Sequence, residues 1–462
     1  MKILLIYPSV LDAYGLAKKF RRAYMPPLSL AILQSLTPRH HEVRIVNDVV
    51  EPVDFDIDVD LVGITAMTTQ IGRAYQIADA FRRRHVQVVI GGIHATLLPE
   101  EAGRHADAVV VGEAEDVWET VLHHAGQNRL QPLYQCNHRP DLSRRVAPDW
   151  RGMDLGIYML GRDGLPVMPI FTTRGCPIGC DFCSVTTSSG TAIRSKPVDH
   201  VIEEINALPK AQNYFFVDDT IDMRPDYARE LFKGLQWNRR QKEIDWMSQA
   251  TTTIYRKPDL LNLAFASGCN QLFIGMESIG AQALDSVGKS CNNVEHYDEL
   301  FTALNTFKIL GTASLIFGFD EDTESTVRET IAYFSHRPTM NVICWLLTPL
   351  PGTVLFQRML SQGRLFHQDW SRYDLNHVVF QPRHFSPEAL ETLYWNLFAE
   401  LFSPDMIRKR TATLKSIGYR NVEAFHFLQR YNVTLVKQRM HPYSAGFLPL
   451  RIINSRKPLT VC

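Results

Sequence analysis

Short runs of apolar, mostly β-branched residues alternate with stretches of helical period along the first part of the chain. Lys2 to Tyr7, Glu42 to Asn47, Leu61 to Thr65, Val86 to Ile90 and Ala108 to Val111 read as buried strands. Leu28 to Leu36, Ile71 to Arg84 and Asp116 to Ala125 read as the helices between them. Continuous apolar strands separated by helices imply a parallel sheet covered on both faces, so the pattern predicts a doubly wound α/β domain over residues 1–125. In such sheets ligands bind beyond the carboxyl ends of the strands. Four loops fall there: Tyr7-Pro8-Ser9, Thr65-Ala66-Met67, Gly91-Gly92-Ile93-His94 and Gly112-Glu113-Ala114-Glu115.

The pattern lapses over 126–165, where Asn128, Pro132, Pro140, Pro148, Gly152, Gly156 and Gly161 predict a linker. It resumes in 166–365 with strands at Val167 to Thr172, Tyr214 to Val217, Asp245 to Gln249, Gln271 to Gly275, Thr312 to Phe317 and Val342 to Leu347. Six strands with helices between them suit a partial (β/α)6 barrel, whose functional groups would sit at the strands' carboxyl ends. Residues 366–462 form a third, mainly helical section. There Ser386-Pro387-Glu388 caps and starts a helix rich in Leu390, Leu393, Tyr394, Trp395, Leu397, Phe398, Leu401 and Phe402.

Composition narrows the classes. The chain has 462 residues, 45% hydrophobic and 21% charged, which is ordinary for a globular protein. Basic and acidic residues are balanced at 49 each, which gives no case for nucleic acid. The balance hides a basic tail: from residue 401 onward eleven Lys and Arg, among them Arg451, Arg456 and Lys457, face only Asp405 and Glu423. That excess and the aromatic helix are compatible with an acidic or isoprenoid-like substrate or a membrane surface, and equally with a core-facing helix and a solvated face. No apolar run is long enough to span a bilayer, and Met1 to Pro8 is too short for a signal peptide, so the expected location is the cytoplasm.

Of eight cysteines, three crowd into Arg174-Gly175-Cys176-Pro177-Ile178-Gly179-Cys180-Asp181-Phe182-Cys183, directly after the first barrel strand. Three thiolates spaced C-x3-C-x2-C, with glycines for tight turns, can hold three irons of a 4Fe-4S cluster and leave the fourth open to a small molecule. Zinc is the alternative, although a structural zinc site prefers four closed ligands and no fourth Cys or His lies nearby in sequence. Cys136, Cys269, Cys291, Cys344 and Cys462 read as structural thiols.

This loop at the end of a first barrel strand resembles the signature of the radical S-adenosylmethionine (SAM) superfamily. The resemblance implies that the open iron chelates SAM and that the reduced cluster cleaves it to a 5'-deoxyadenosyl radical. Phe182 matches the aromatic that packs on the adenine. Later loops also resemble the family's SAM contacts: Phe216-Val217-Asp218-Asp219-Thr220, Gly275-Met276-Glu277-Ser278, Ile316-Phe317-Gly318-Phe319-Asp320 and Thr348-Pro349-Leu350-Pro351-Gly352-Thr353. By that resemblance Asp218 or Asp219 lies near the SAM amino end and Glu277 near the ribose or amino group. Gln249 and Ser248, ending the third strand, are further candidates, as are Phe317 and Gly318.

A doubly wound domain before such a barrel resembles the cobalamin-binding domain of the largest class of these enzymes. Pro26 to Leu30, Gly91 to Thr96 and Asp107 to Glu115 carry the match. Ser9, Thr65, Met67, Gly91, Gly92, His94, Gly112 and Glu113 are the implied corrinoid contacts; Glu113 and Glu115 have the barrel as their other candidate partner. The Asp-x-His-x-x-Gly motif that supplies a lower axial histidine is absent, the early loop reading Asp12-Ala13-Tyr14-Gly15, and His94 is the remaining candidate ligand.

The resemblance implies a cobalamin-dependent C-methyltransferase acting on an unactivated carbon of a small-molecule, lipid or tetrapyrrole intermediate. Its alternatives are a radical oxidase, cyclase or rearrangement enzyme, and a non-enzymatic cobalamin sensor. An electron donor such as flavodoxin or ferredoxin is implied. Trp345, Trp370, Tyr373, His377 and Trp395 are candidates for the substrate wall.

Overall fold

The computed structural model of the chain describes residues 1–144, 146–158, 166–208, 213–240, 242–337 and 341–442. The first sheet comprises β1 (Lys2–Tyr7), β2 (Glu42–Asn47), β3 (Leu61–Thr65), β4 (Gln87–Gly91), β5 (Ala108–Val111) and β6 (Leu133–Gln135). All are parallel, in the order β2-β1-β3-β4-β5-β6. Strand addition reverses between β1 and β3, which is where an open α/β sheet leaves a crevice at its carboxyl edge. The helix Ile71–Arg83 turns Ile71, Ala74, Ile77, Ala78 and Phe81 onto one face, and Trp118–Gly126 turns Trp118, Val121, Leu122 and Ala125 onto the other.

Five of the six strands coincide with the apolar runs to within a residue. β6 does not: it is three residues long, follows Pro132 and has only Tyr134 buried, so it carries no apolar run to read. It pairs through Val109 and Leu133 and extends the sheet ten residues past 125. The end of the expected linker, 159–165, lies outside the described residues, as do Arg451, Arg456, Lys457 and Cys462.

The second sheet is built from β7 (Met168–Ile170), then, after a ribbon of β8 (Thr173–Arg174) and β9 (Arg194–Ser195), from β10 (Asn213–Phe216), β11 (Asp245–Ala250), β12 (Cys269–Glu277), β13 (Leu310–Phe317) and β14 (Asn341–Leu346). Its order is β14-β13-β12-β11-β10-β7, parallel throughout, and its end strands do not pair: it is a partial barrel. Period-2 alternation sends Tyr214, Phe216, Trp246, Leu272, Ile274, Leu315 and Cys344 outward into the helix-facing core. Phe215, Met247, Phe273, Ser314, Ile316 and Trp345 take the inward positions.

The third section covers the free edge. Ser386 Oγ accepts from Ala389 N at 3.2 Å and starts the helix Pro387–Leu401, whose Leu390, Tyr394, Trp395, Leu397, Phe398 and Leu401 are buried. Tyr394 donates to Cys344 O at 3.0 Å, and Gln429 of the helix Val422–Lys437 donates to Asn341 at 3.1 Å, so both helices lean on β14. The aromatic helix is core, and Trp395 with it. Of the basic residues, Arg410 is buried and donates to Leu401 O at 2.7 Å, while Arg408 and Lys409 pair with Asp405. Among the described residues no helix is long and apolar enough to cross a membrane.

Trp246 stands at the centre of the barrel's outer core, stacked on Phe232 at 5.0 Å with its indole nitrogen on Ser267 Oγ at 3.1 Å. Trp246→Ala should remove ~3–5 kcal/mol of stability. Urea unfolding followed by circular dichroism checks this: an unchanged midpoint would contradict the assigned core.

Candidate functional site

The cysteine loop leaves the ribbon at Gly175. There φ is +100°, and a Cβ would fall inside contact distance of the Ala192 carbonyl oxygen, so no other residue fits without moving backbone. Cys176 N donates to Gly190 O at 3.0 Å and Gly175 N to Asp219 Oδ2 at 3.1 Å. The far side is pinned through Asp181, whose N donates to Val287 O at 3.0 Å and whose carbonyl accepts from Leu355 N at 2.9 Å. Arg358 Nη1 adds a bond to Asp181 Oδ2 at 2.7 Å.

Cys180 is buried, Cys176 and Cys183 half-buried. Burial pushes each thiol up, Cys180 to about 12, and the charge of Lys289 works against that at all three. The thiols feel one another: ionising Cys183 raises Cys180, and ionising Cys176 raises Cys183. Deprotonation there needs a nearby cation, which a bound metal would supply. Among the described residues no three His, Cys, Asp or Glu side chains close on one point as a single metal ion requires. A cubane asks each thiolate for a separate iron, and a loop fixed at both ends with three soft donors fits that group.

The carboxylates divide into different roles. Asp218 is fully buried and accepts from Thr172 N at 2.6 Å, from Thr173 N at 3.1 Å and from the Thr172 hydroxyl. Both oxygens are spent tying the end of β10 to the chain leaving β7, which corrects the expected cofactor contact. Asp219 holds the cysteine loop through Gly175 N and is only half-buried. Glu277 adopts φ +60° at a bulge between β12 and β13, and its Oε1 accepts from Lys289 Nζ at 2.8 Å. Gly275 leaves room for this pair: a Cβ there would stand 2.7 Å from Glu277 Oε1 and 3.1 Å from Lys289 Nζ, so the two side-chain ends would have to shift. Lys289 escaped the sequence reading because its partner is twelve residues away and no local pattern marks it.

Phe182 meets Phe319 edge to face with centroids 6.3 Å apart. Gln249 is exposed although it lies on a central strand, because it opens onto the barrel's inner face. Ser248 instead donates to Phe216 O at 2.8 Å. Phe317 and Gly318 are corrected. Phe317 points outward into the core, and Gly318, at φ +109°, leaves room for Leu390, whose Cδ2 would lie 3.0 Å from a Cβ. Asp322 closes that loop, Oδ2 accepting from Gly318 N at 2.7 Å and Phe319 N at 3.0 Å; burial nevertheless pushes its carboxyl up to about 6.

On the first domain the carboxyl edge is backbone-rich and apolar. Met67 and Ile93 are exposed, and nothing lies within 4 Å of where a Gly112 Cβ would be. Thr65 and Gly91 end their strands beside them, and Gly92, at φ +95°, sits so that a Cβ would stand 2.7 Å from Ala66 N. An open apolar floor with bare backbone at its rim fits a large flat ring system. Ser9 is buried, its N donating to Asp48 Oδ2 at 3.1 Å; Asp48 in turn binds Lys19 and Arg73. His94 is corrected as an axial ligand: it is fully buried, with Nε2 3.3 Å from Glu101 Oε1. That same oxygen accepts from Tyr75 and from Trp370 Nε1, each at 2.9 Å, so the third section is strapped to the first domain here. Trp370 and Tyr373 belong to this strap, at 4.8 Å from each other. His377 pairs with Asp374 at 2.9 Å, and Trp345 alone of the five wall candidates takes an inward barrel position. Glu113 is held by Arg174 and Arg194 of the ribbon, which makes it a barrel contact.

Residues 21–122 match the B12 binding domain, and residues 170–334 the Radical SAM superfamily. The bacteriochlorophyllide d C-12(1)-methyltransferase of Chlorobaculum tepidum is 30% identical over 392 residues, 83% of this chain and 84% of that protein. The hopanoid C-2 methylase of Rhodopseudomonas palustris is 24% identical, spanning 88% of this chain and 78% of that one. In fold, the chain is like the radical S-adenosylmethionine methyltransferase TsrM from Kitasatospora setae, solved with cobalamin and a 4Fe-4S cluster bound. The TM-score is 0.64 at 16% identity, covering 93% of this chain and 99% of that one.

Gly175→Ala should displace the loop and cut bound iron after anaerobic reconstitution to well below half the wild-type content; equal iron would contradict the steric argument. For Asp322 the folded-state value lies above the unfolded one, so its protonated form favours folding. That contribution, ~3 kcal/mol, is present below about pH 4 and lost as pH rises through about 6. Asp322→Asn should flatten this slope in denaturation midpoints measured across the range.

Proposed function

Because the chain belongs to the radical SAM enzymes that carry an amino-terminal B12-binding domain, we propose that it methylates an unactivated carbon of an apolar, ring-bearing substrate of the tetrapyrrole or polycyclic-lipid class. It is an enzyme whose cofactors are a 4Fe-4S cluster, SAM and cobalamin. Bound together, these supply a radical able to take hydrogen from an unactivated carbon and a methyl group to replace it.

In this reading Cys176, Cys180 and Cys183 hold three irons and leave the fourth to SAM. Phe182 offers a ring face for the adenine, and Gln249 an amide for the polar end of SAM. Lys289, neutralised by Glu277, keeps a buried cation beside the thiolates. Met67, Ile93 and the bare backbone of Gly112 carry the corrinoid. The exposed loop tip, Pro177 and Gly179, brings the cluster close to the surface for a flavodoxin- or ferredoxin-like donor.

The observation that carries the substrate class is the barrel's inner wall. Phe215 and Phe273 face each other with centroids 5.8 Å apart, and Trp345 Nε1 bonds Ser314 Oγ at 3.1 Å beside them. Gln271 donates to Thr312 at 2.8 Å one layer below. Between Asp245 at the bottom and Glu277 at the top, every inward side chain of β11, β12 and β13 is neutral. Such a wall excludes water and attracts an apolar ring, and it offers a carboxylate or phosphate no partner at depth. The named relatives that methylate a bacteriochlorophyllide and a hopanoid act on substrates of this kind.

The test is anaerobic incubation of the reconstituted enzyme with reductant, methyl-deuterated SAM and panels of chlorophyllides and hopanoids. The expected product is heavier by one labelled methyl group. An unlabelled product that is oxidised or cyclised would move the assignment to a cyclase, and turnover confined to charged hydrophilic substrates would overturn the substrate class.

A further inference from the structure

A dense cluster of paired charges lies at the seam between the two sheets. Glu113 and Glu115 follow β5 on the first domain, and both reach Arg174, two positions before Cys176. Arg174 Nη2 stands 2.7 Å from Glu115 Oε1, and Nη1 pairs with Glu113 Oε2. Its guanidinium covers the Phe171 ring at 4.1 Å from the centroid. Arg194, opposite Arg174 in the ribbon, donates to the same Glu113 oxygen at 3.0 Å, and Arg139 stands 3.6 Å from Glu113 Oε1. The two glutamates are 12% exposed and Arg174 and Arg194 17% and 18%, so solvent screens these pairs weakly. Burial pushes Glu113 up, but the bonds from Arg194 and the charge of Arg174 outweigh it and hold the carboxyl below its usual range.

The ribbon that carries both arginines runs straight into the cysteine loop, and Arg174 also acts on Asp219, which holds Gly175 N. The charge on Arg174 therefore stands at the base of the cluster loop, and the first domain decides how much of it is neutralised. A nearby positive charge favours the form of a thiolate-bound cluster that carries one more electron, and a carboxylate that cancels it does the reverse. A seam that only joined two domains would be served by apolar packing at no cost in desolvation.

We propose that Glu113 and Glu115 are positioning residues through which the amino-terminal domain, by way of Arg174, holds the first cluster thiolate and sets how readily the cluster accepts its electron. This rests on the reading of Cys176, Cys180 and Cys183 as cluster ligands.

The experiment is an anaerobic redox titration, followed by electron paramagnetic resonance, of the full chain reconstituted with iron, sulfide and hydroxocobalamin. Glu115→Gln keeps shape and hydrogen bonding and removes one charge. It should retain about four irons per chain, shift the midpoint potential positive and change the line shape of the reduced cluster. Glu115→Asp, which keeps the charge, should shift it less. Glu113→Gln, which takes the carboxylate from Arg194 and Arg139 and leaves Arg174 with Glu115 alone, should shift it further; where that variant fails to fold, Glu115→Gln decides. Iron-loaded variants with the wild-type potential and spectrum would overturn this proposal alone, as would equal shifts from Asp and Gln. Wild-type protein that binds no iron would overturn the cluster reading as well.

Discussion

Three thiolates on one short loop stay at fixed separations only when the loop's backbone is held from outside, because a free loop of that length samples many shapes at an entropic cost of ~1–2 kcal/mol per residue fixed. Here the holding comes from every neighbouring element. Gly190 and Asp219 fix the start, Val287 and Leu355 fix Asp181 in the middle, and the ribbon beneath is closed by a residue that must be glycine. The partners come from the segment between β8 and β9 and from the loops after β10, β12 and β14, so the barrel's strands have to be assembled before the loop has one shape.

The two parallel sheets were legible because buried parallel strands are apolar on both faces, and their runs match the observed strands to within a residue in most cases. The cysteine loop was legible because its donors are adjacent in sequence. What could not be read were partners far apart along the chain. Asp218 and Glu277 stand at the carboxyl ends of strands, where a ligand contact and a structural tie look alike in sequence; the structure spends one on Thr172 and pairs the other with Lys289. Glycines told the same story in reverse. Gly318 lies in a loop that suits a cofactor, yet its missing side chain makes room for Leu390 of the third section. β6 had no apolar run to show, since a short edge strand buries one side chain.

Charge and neutrality are sorted by place in this molecule. The seam between the domains is crowded with paired Glu and Arg, whereas the inner wall of the barrel is neutral and aromatic. Buried ion pairs cost desolvation and add little to net stability, so their concentration beside the cysteines is not explained by holding the domains together. A neutral lumen has the opposite logic: it keeps water and counterions away from a reactive centre and leaves shape as the main selector. In the proposed reading, the separation would let one protein hold charged cofactor ends and an apolar substrate within the same mouth.

The strap that ends on Glu101 has a consequence for how the protein is made. The first sheet is complete at Gln135, but Trp370 joins the Tyr75, His94 and Glu101 hub only after the whole barrel has been synthesised. Domains emerging from the ribosome fold as units, amino-terminal first. The apolar floor of the first domain therefore stands formed, with the strap not yet laid beside it, for the time the ribosome needs to translate the barrel. The Glu101 carboxylate and its Tyr75 and His94 partners thus wait through that interval without the indole that completes their set.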